Sequence, residues 1–138
     1  MMNRYMKRKE FIQLSAFAAA AISLPLLNSC NASVNEHTLS KPVFLSRLFD
    51  EVTIKDAGKA YLQKIPLEND NDKLVRLLTG NSSIANAMDE KAIHQFLDEK
   101  VKHDFETGNT ILVKGWVLAV TEARQCALFS LVNNKRET

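Results

Sequence analysis

The sequence predicts an all-α fold: a small bundle of about five short helices, with a minor β-hairpin near residues 110–119. Three observations carry this. Apolar residues recur at helical spacing along most of the chain after residue 42. Stop signals (Pro66, Gly80, Gly108) stand where those stripes end. One β-branched run, Thr110–Val113, breaks the helical period, and Gly115 then allows a bend into Trp116-Val117-Leu118.

The chain reads as three parts. Residues 1–29 form an export signal, 30–41 a polar tether and 42–138 a single helical domain. In the signal, Arg4, Lys7, Arg8 and Lys9 make a basic region, and Phe11–Leu27 is an apolar run too short for a spanning helix, which needs about 20 residues. An uncleaved N-terminal membrane helix is the competing reading; Pro25 and the small-residue flank fit a processed signal better. Leu27-Asn28-Ser29-Cys30 resembles a bacterial lipobox, which implies acylation of Cys30 and a lipid-anchored protein on the periplasmic side. Arg8, Lys9 and Phe11 lie in a stretch that resembles the twin-arginine export motif, with Lys9 where the second arginine belongs. That route carries folded cargo; the general export route is the alternative.

Without the signal, 109 residues remain, enough for one thin-cored domain. Four of the 18 basic residues and one of the 16 acidic ones belong to the signal, so the remainder stands at −1. A near-neutral domain without a Lys/Arg stripe argues against nucleic acid. With Cys30 acylated, Cys126 has no partner and reads as a small buried hydrophobe; a Cys30–Cys126 bridge requires a free Cys30.

Each element has a local reason. Asn31–Lys41 is polar and aperiodic, hence the tether, with His37 solvated in it. Pro42 suits a first helical turn, and Phe44, Leu45, Leu48, Phe49 and Val52 follow at helical spacing. Thr53–Asp56 matches a capping box with Thr53 as N-cap, and Ile54, Ala57, Tyr61, Leu62 and Ile65 make the clearest stripe, ended by Pro66. Gly58 within it suggests a close helix crossing. Glu68–Asp72 reads as a turn and N-cap rather than a calcium loop, because the central glycine and terminal glutamate of such a loop are missing. Leu74–Leu78 makes a short helix closed by Gly80, and 81–88 is a polar loop.

Asp89–Glu106 is the longest helix, with the stripe Ile93, Phe96, Leu97, Val101 and Phe105. His94 and His103 fall on opposite faces of it and cannot share a metal. Asp98, Glu99, Asp104 and Glu106 alternate with Lys100 and Lys102, as on a solvated face carrying an Asp98–Lys102 pair. Trp116 is expected to anchor the core. Thr121–Val132 is apolar nearly all round, so it is central or covered by a partner, and Asn133–Thr138 is a polar tail.

No catalytic, cofactor-binding or metal-binding constellation stands out. The four glycines are isolated, and no Ser elbow or local Cys/His pair exists. The segment richest in interface-type residues is 104–131, with Trp116, Glu122 and Arg124 as candidate partner-docking residues. An enzyme would need Glu122 and Arg124 to meet His94 or His103 in space.

With its signal, its size, its pattern of short helices and the Ile65-Pro66 boundary before an acidic turn, the chain resembles the subunit 3-type small subunits of periplasmic flavin-dependent gluconate and fructose dehydrogenases. Lys114–Leu118 and Thr121–Arg124 also resemble a closing segment of exported Bacteroidetes-type lipoproteins. The dehydrogenase resemblance implies a non-catalytic accessory subunit that assists maturation and export of a flavin-bearing partner. It carries over no catalytic residue and no cofactor of the chain's own. The alternative expectation is a stand-alone envelope lipoprotein that binds through the Trp116–Arg124 segment.

Overall fold

The computed structural model describes residues 32–80 and 88–137, with side chains from Glu36 onward. Among them are six helices, one 3₁₀ turn and one hairpin. In chain order these are α1 (Ala32–Leu39), α2 (Val43–Leu48), α3 (Glu51–Lys64), the turn Pro66–Glu68, α4 (Asn71–Thr79), α5 (Glu90–Thr107), β1 (Thr110–Val113), β2 (Trp116–Ala119) and α6 (Val120–Glu137). The expected all-α class with a small hairpin is what the chain adopts.

α6 is the axis of the domain. It packs against α1, α3, α4, α5 and both strands, and most extensively against α3. Its composition requires this: Ala123, Cys126, Ala127 and Leu128 are all at most 1% exposed, so the helix has apolar surface facing several neighbours. α3 lays Ile54, Tyr61 and Leu62 against it, α4 adds Leu74 and Leu78, and α5 adds Ile93 and Leu97. Gly58 is the crossing point. A Cβ there would overlap the Cys126 carbonyl and lie 2.9 Å from the Ala127 nitrogen.

The helix ends follow capping rules. Asp50, Asp70 and Asp89 each accept a hydrogen bond from the backbone N–H three residues on, at 2.7–2.8 Å. Asp50, rather than Thr53, therefore caps α3. The helix starts at Glu51 and takes Val52 out of the preceding stripe, leaving α2 only six residues long. Glu68–Asp72 divides into the 3₁₀ turn and the Asp70 cap, and Gly80 ends α4 as expected. The 81–87 part of the expected loop lies outside the described residues.

Both polar ends of the domain depart from expectation. The tether expected at residues 30–41 is helical over Ala32–Leu39 and folded onto the domain. Leu39 is 1% exposed, and the Gln125 amide of α6 donates to the Leu39 and Lys41 carbonyls at 3.0 and 3.2 Å. His37 is half-buried rather than solvated. The expected tail is also helical, because α6 continues to Glu137, whose carboxylate meets Lys55 of α3 at 3.0 Å.

The hairpin pairs Val113 with Trp116 and Ile111 with Leu118. Its two-residue turn, Lys114-Gly115, has φ of 51° and 84°, the doubly positive geometry of a type I′ turn. β2 runs straight into α6 without a loop. Among the described residues, no helix is long and apolar enough to cross a membrane.

Candidate functional site

The junction of β2 with α6 is built from carboxylates of two helices. Asp104 of α5 accepts from the Thr121 N–H at 2.8 Å and from the Asn109 side-chain amide at 2.9 Å. It thereby caps α6 from a neighbouring helix, where a negative charge is favourable. Burial pushes its pKa up, but the hydrogen bonds from Thr121 and Asn109 outweigh this and hold it below the usual carboxylate range. Asp104 is thus buried, not on the solvated face expected for it. Lys100, on the same helix, also turns inward: it donates to the Leu77 and Leu78 carbonyls at the end of α4, and burial lowers its pKa.

Glu122 lies in the first turn of α6 and is 5% exposed. Its Oε2 accepts from the Ala119 N–H at 3.1 Å. Burial raises its pKa, the Ala119 hydrogen bond opposes this, and the charges of Asp104 and Asp98 raise it further.

Over this junction lies an apolar groove of about 330 Å³, with Glu122 at its wall. α2 contributes Phe44 and Leu48, α5 contributes Val101 and Phe105, and β2 contributes Trp116 and Val117. Phe44, Leu48, Phe105, Trp116 and Val117 are each 49–63% exposed. Trp116 is therefore a surface residue rather than a core anchor. Its ring stands edge-on to Phe49 at 4.9 Å, which fixes the indole at the groove's rim. Register puts Trp116 on the same face as Val113 and Leu118, but at the turn end of the hairpin, where the core covers it only in part. A smaller apolar pocket of about 30 Å³ adjoins, reached past Leu45 and Phe49 and ending on Cys126. Cys126 is fully buried, and burial lifts its thiol to about 12, so it packs as a small hydrophobe.

Of the three docking candidates, Trp116 and Glu122 share this groove and Arg124 does not line it. Two residues along a helix amount to about 200°, so Glu122 and Arg124 face nearly opposite ways. Arg124 instead binds Glu68 through two hydrogen bonds, Nη2 to Oε1 at 2.9 Å and Nε to Oε2 at 3.1 Å. The Tyr61 hydroxyl donates to the same carboxylate at 2.7 Å. Burial pushes Tyr61 up, and its bond to Glu68 takes it to about 12. Glu68 is held low despite its burial, by Arg124 first and then Tyr61. This node ties α3, the 3₁₀ turn and α6 together.

Neither histidine joins Glu122. The groups acting on it are the Ala119 N–H, Asp104 and Asp98. His103 is exposed, and His94 is half-buried with an Nε2 that has no hydrogen-bond partner. Cys30, Arg8, Lys9 and Phe11 lie outside the described residues. The sequence missed Glu68 and Asp104 because their partners stand 56 and 17 residues away, beyond any local spacing rule. Comparison with family models, with curated proteins and with solved structures returns no match.

Proposed function

We propose that this chain is a non-catalytic accessory subunit of an exported flavin-dependent oxidoreductase, held on the periplasmic side of the membrane by a lipid on Cys30. The partner docks on the Phe44–Leu48–Phe105–Trp116–Val117 face. One observation supports docking above all others: these large side chains come from three separate elements, yet they converge on one groove and remain about half exposed or more. Contiguous exposed apolar surface of this kind marks interaction sites, and a Trp at its rim is the residue type most enriched among binding anchors. The oxidoreductase as partner rests on the resemblance of the signal and helix pattern. The groove also suits the second reading, a stand-alone envelope binding module. In that reading the docking segment is narrower than Trp116–Arg124, since Arg124 is already engaged by Glu68.

Purification of the full-length protein from gently solubilised membranes tests this. A flavin-bearing polypeptide is expected to co-elute, and Leu48→Glu is expected to release it. A wild-type preparation without flavin would remove the oxidoreductase assignment.

A further inference from the structure

Glu122 poses an electrostatic question that the fold leaves open. Its Oε2 is taken by the Ala119 N–H, while Oε1 accepts from no group among the described residues. The residue is nevertheless 95% buried and lines the groove. Its charged neighbours on α5, Asp98 and Asp104, are both acids, and the cation that acts on Asp104, Lys100, directs its ammonium to the Leu77 and Leu78 carbonyls. The hydrogen bonds of Asp104 go to Thr121 and Asn109. The groove is therefore apolar along its length and negative at one point, with an acceptor atom to spare. Oε1 is not sealed off as a buried unpaired atom, so a cation brought by a partner can reach it from the groove and would relieve the acidic crowding.

We infer that the groove receives a cationic side chain of the docked partner, an arginine or lysine whose apolar stem lies along Phe44, Leu48 and Phe105 and whose charged end reaches Glu122 Oε1. Long basic side chains are suited to this, because their methylene stems bury on apolar surface while the head keeps its charge. The groove's volume lies within the roughly 300–1,000 Å³ of ligand-sized sites. This rests on the docking reading of the same face, but not on the identity of the partner.

Trp116, the chain's single tryptophan, stands in the groove and reports occupancy by its fluorescence. The mature protein is titrated with phenethylguanidinium, an apolar body carrying a cation, and with neutral 2-phenylethanol. The cation is expected to shift Trp116 emission at a concentration at least about tenfold lower than the alcohol. Glu122→Gln is expected to erase that advantage and leave the alcohol's titration in place. Acidification of the wild type, which protonates Glu122, is expected to do the same without any substitution. Equal titration by the two probes, no response to either, or an advantage that survives both Glu122→Gln and acid overturns the inference. So does an emission shift on zwitterionic phosphatidylcholine vesicles that Glu122→Gln leaves unchanged, which assigns the face to lipid instead. Failure to co-purify a flavoprotein would leave this selectivity standing, and loss of selectivity with the flavoprotein still bound would defeat the cation alone.

Discussion

At the scale of single residues, three carboxylates take opposite parts in stability. Glu68 and Asp104 have folded pKa values below their unfolded ones, so the stability they add is present above the unfolded value and is lost as pH falls through the folded value. Glu122 is raised, so its contribution is present in acid and is lost as pH rises through its folded value. Glu122→Gln keeps an oxygen for the Ala119 N–H and removes the buried charge. Its melting temperature is expected to exceed the wild type's at neutral pH, with the gap closing on acidification, as thermal melts across a pH series would show. An equal gap at every pH would contradict the assignment. Arg124→Met should act the other way, leaving Glu68 only 12% exposed in its side chain and short of its cation. A loss of about 2–3 kcal/mol is expected in urea denaturation, below the roughly 3–5 kcal/mol of a fully buried pair because Arg124 keeps some solvent. Glu68→Leu added to Arg124→Met is expected to recover part of it.

At the scale of elements, the α3–α6 crossing is the tightest joint. The obstacle to a side chain at Gly58 is the α6 backbone, which cannot swing aside as a long side chain would. Gly58→Ala is therefore expected to cost about 3 kcal/mol, near the upper end for overpacking, by the same denaturation assay. A cost under about 0.5 kcal/mol would mean that the helices separate easily there. This joint was legible in the sequence in part, as a lone glycine in a clean stripe, though not which helix it meets. So were α5 and the hairpin, whose signals are local: a 3.6-residue period closed by Gly108, and a β-branched run followed by a bend at Gly115. α1 was not legible. Five of its eight residues are polar and show no stripe, and what fixes it is distant: the burial of Leu39, packing on α5, the Asn71 amide donating to Glu36, and the Gln125 amide 86 residues away. The start of α3 was misplaced because Asp50 and Thr53 both satisfy a capping pattern, and only the side-chain geometry chooses Asp50. Trp116 was misplaced because size and strand alternation both predict burial, whereas its place at the turn end of the hairpin leaves it beyond the cover that Val113 and Leu118 receive.

Across the described residues, the core is organised around α6, while five of the eight large exposed apolar side chains gather over the β2–α6 junction. Burial of a face of this kind stabilises association at roughly 25 cal/mol per Å² of apolar area, and the domain gains nothing from leaving it bare. The site was legible in part. Trp116 and Glu122 do meet there, but Phe44, Leu48 and Phe105 looked like core positions of ordinary stripes, and only tertiary packing leaves them outside. Leu48→Glu is expected to change folding stability by no more than about 0.5 kcal/mol, since its side chain is more than half exposed, and Trp116→Ala to cost about 1 kcal/mol through the lost edge-on contact with Phe49. Their main cost should fall on binding. The most direct measurement is the flavin content of the protein purified from membranes, wild type against Leu48→Glu and Trp116→Ala, with folding checked by circular dichroism. Flavin is expected with the wild type and its loss with both variants, with three superimposable spectra. Flavin retained by folded variants would contradict docking on this face, and flavin absent from the wild type would contradict the accessory-subunit function itself.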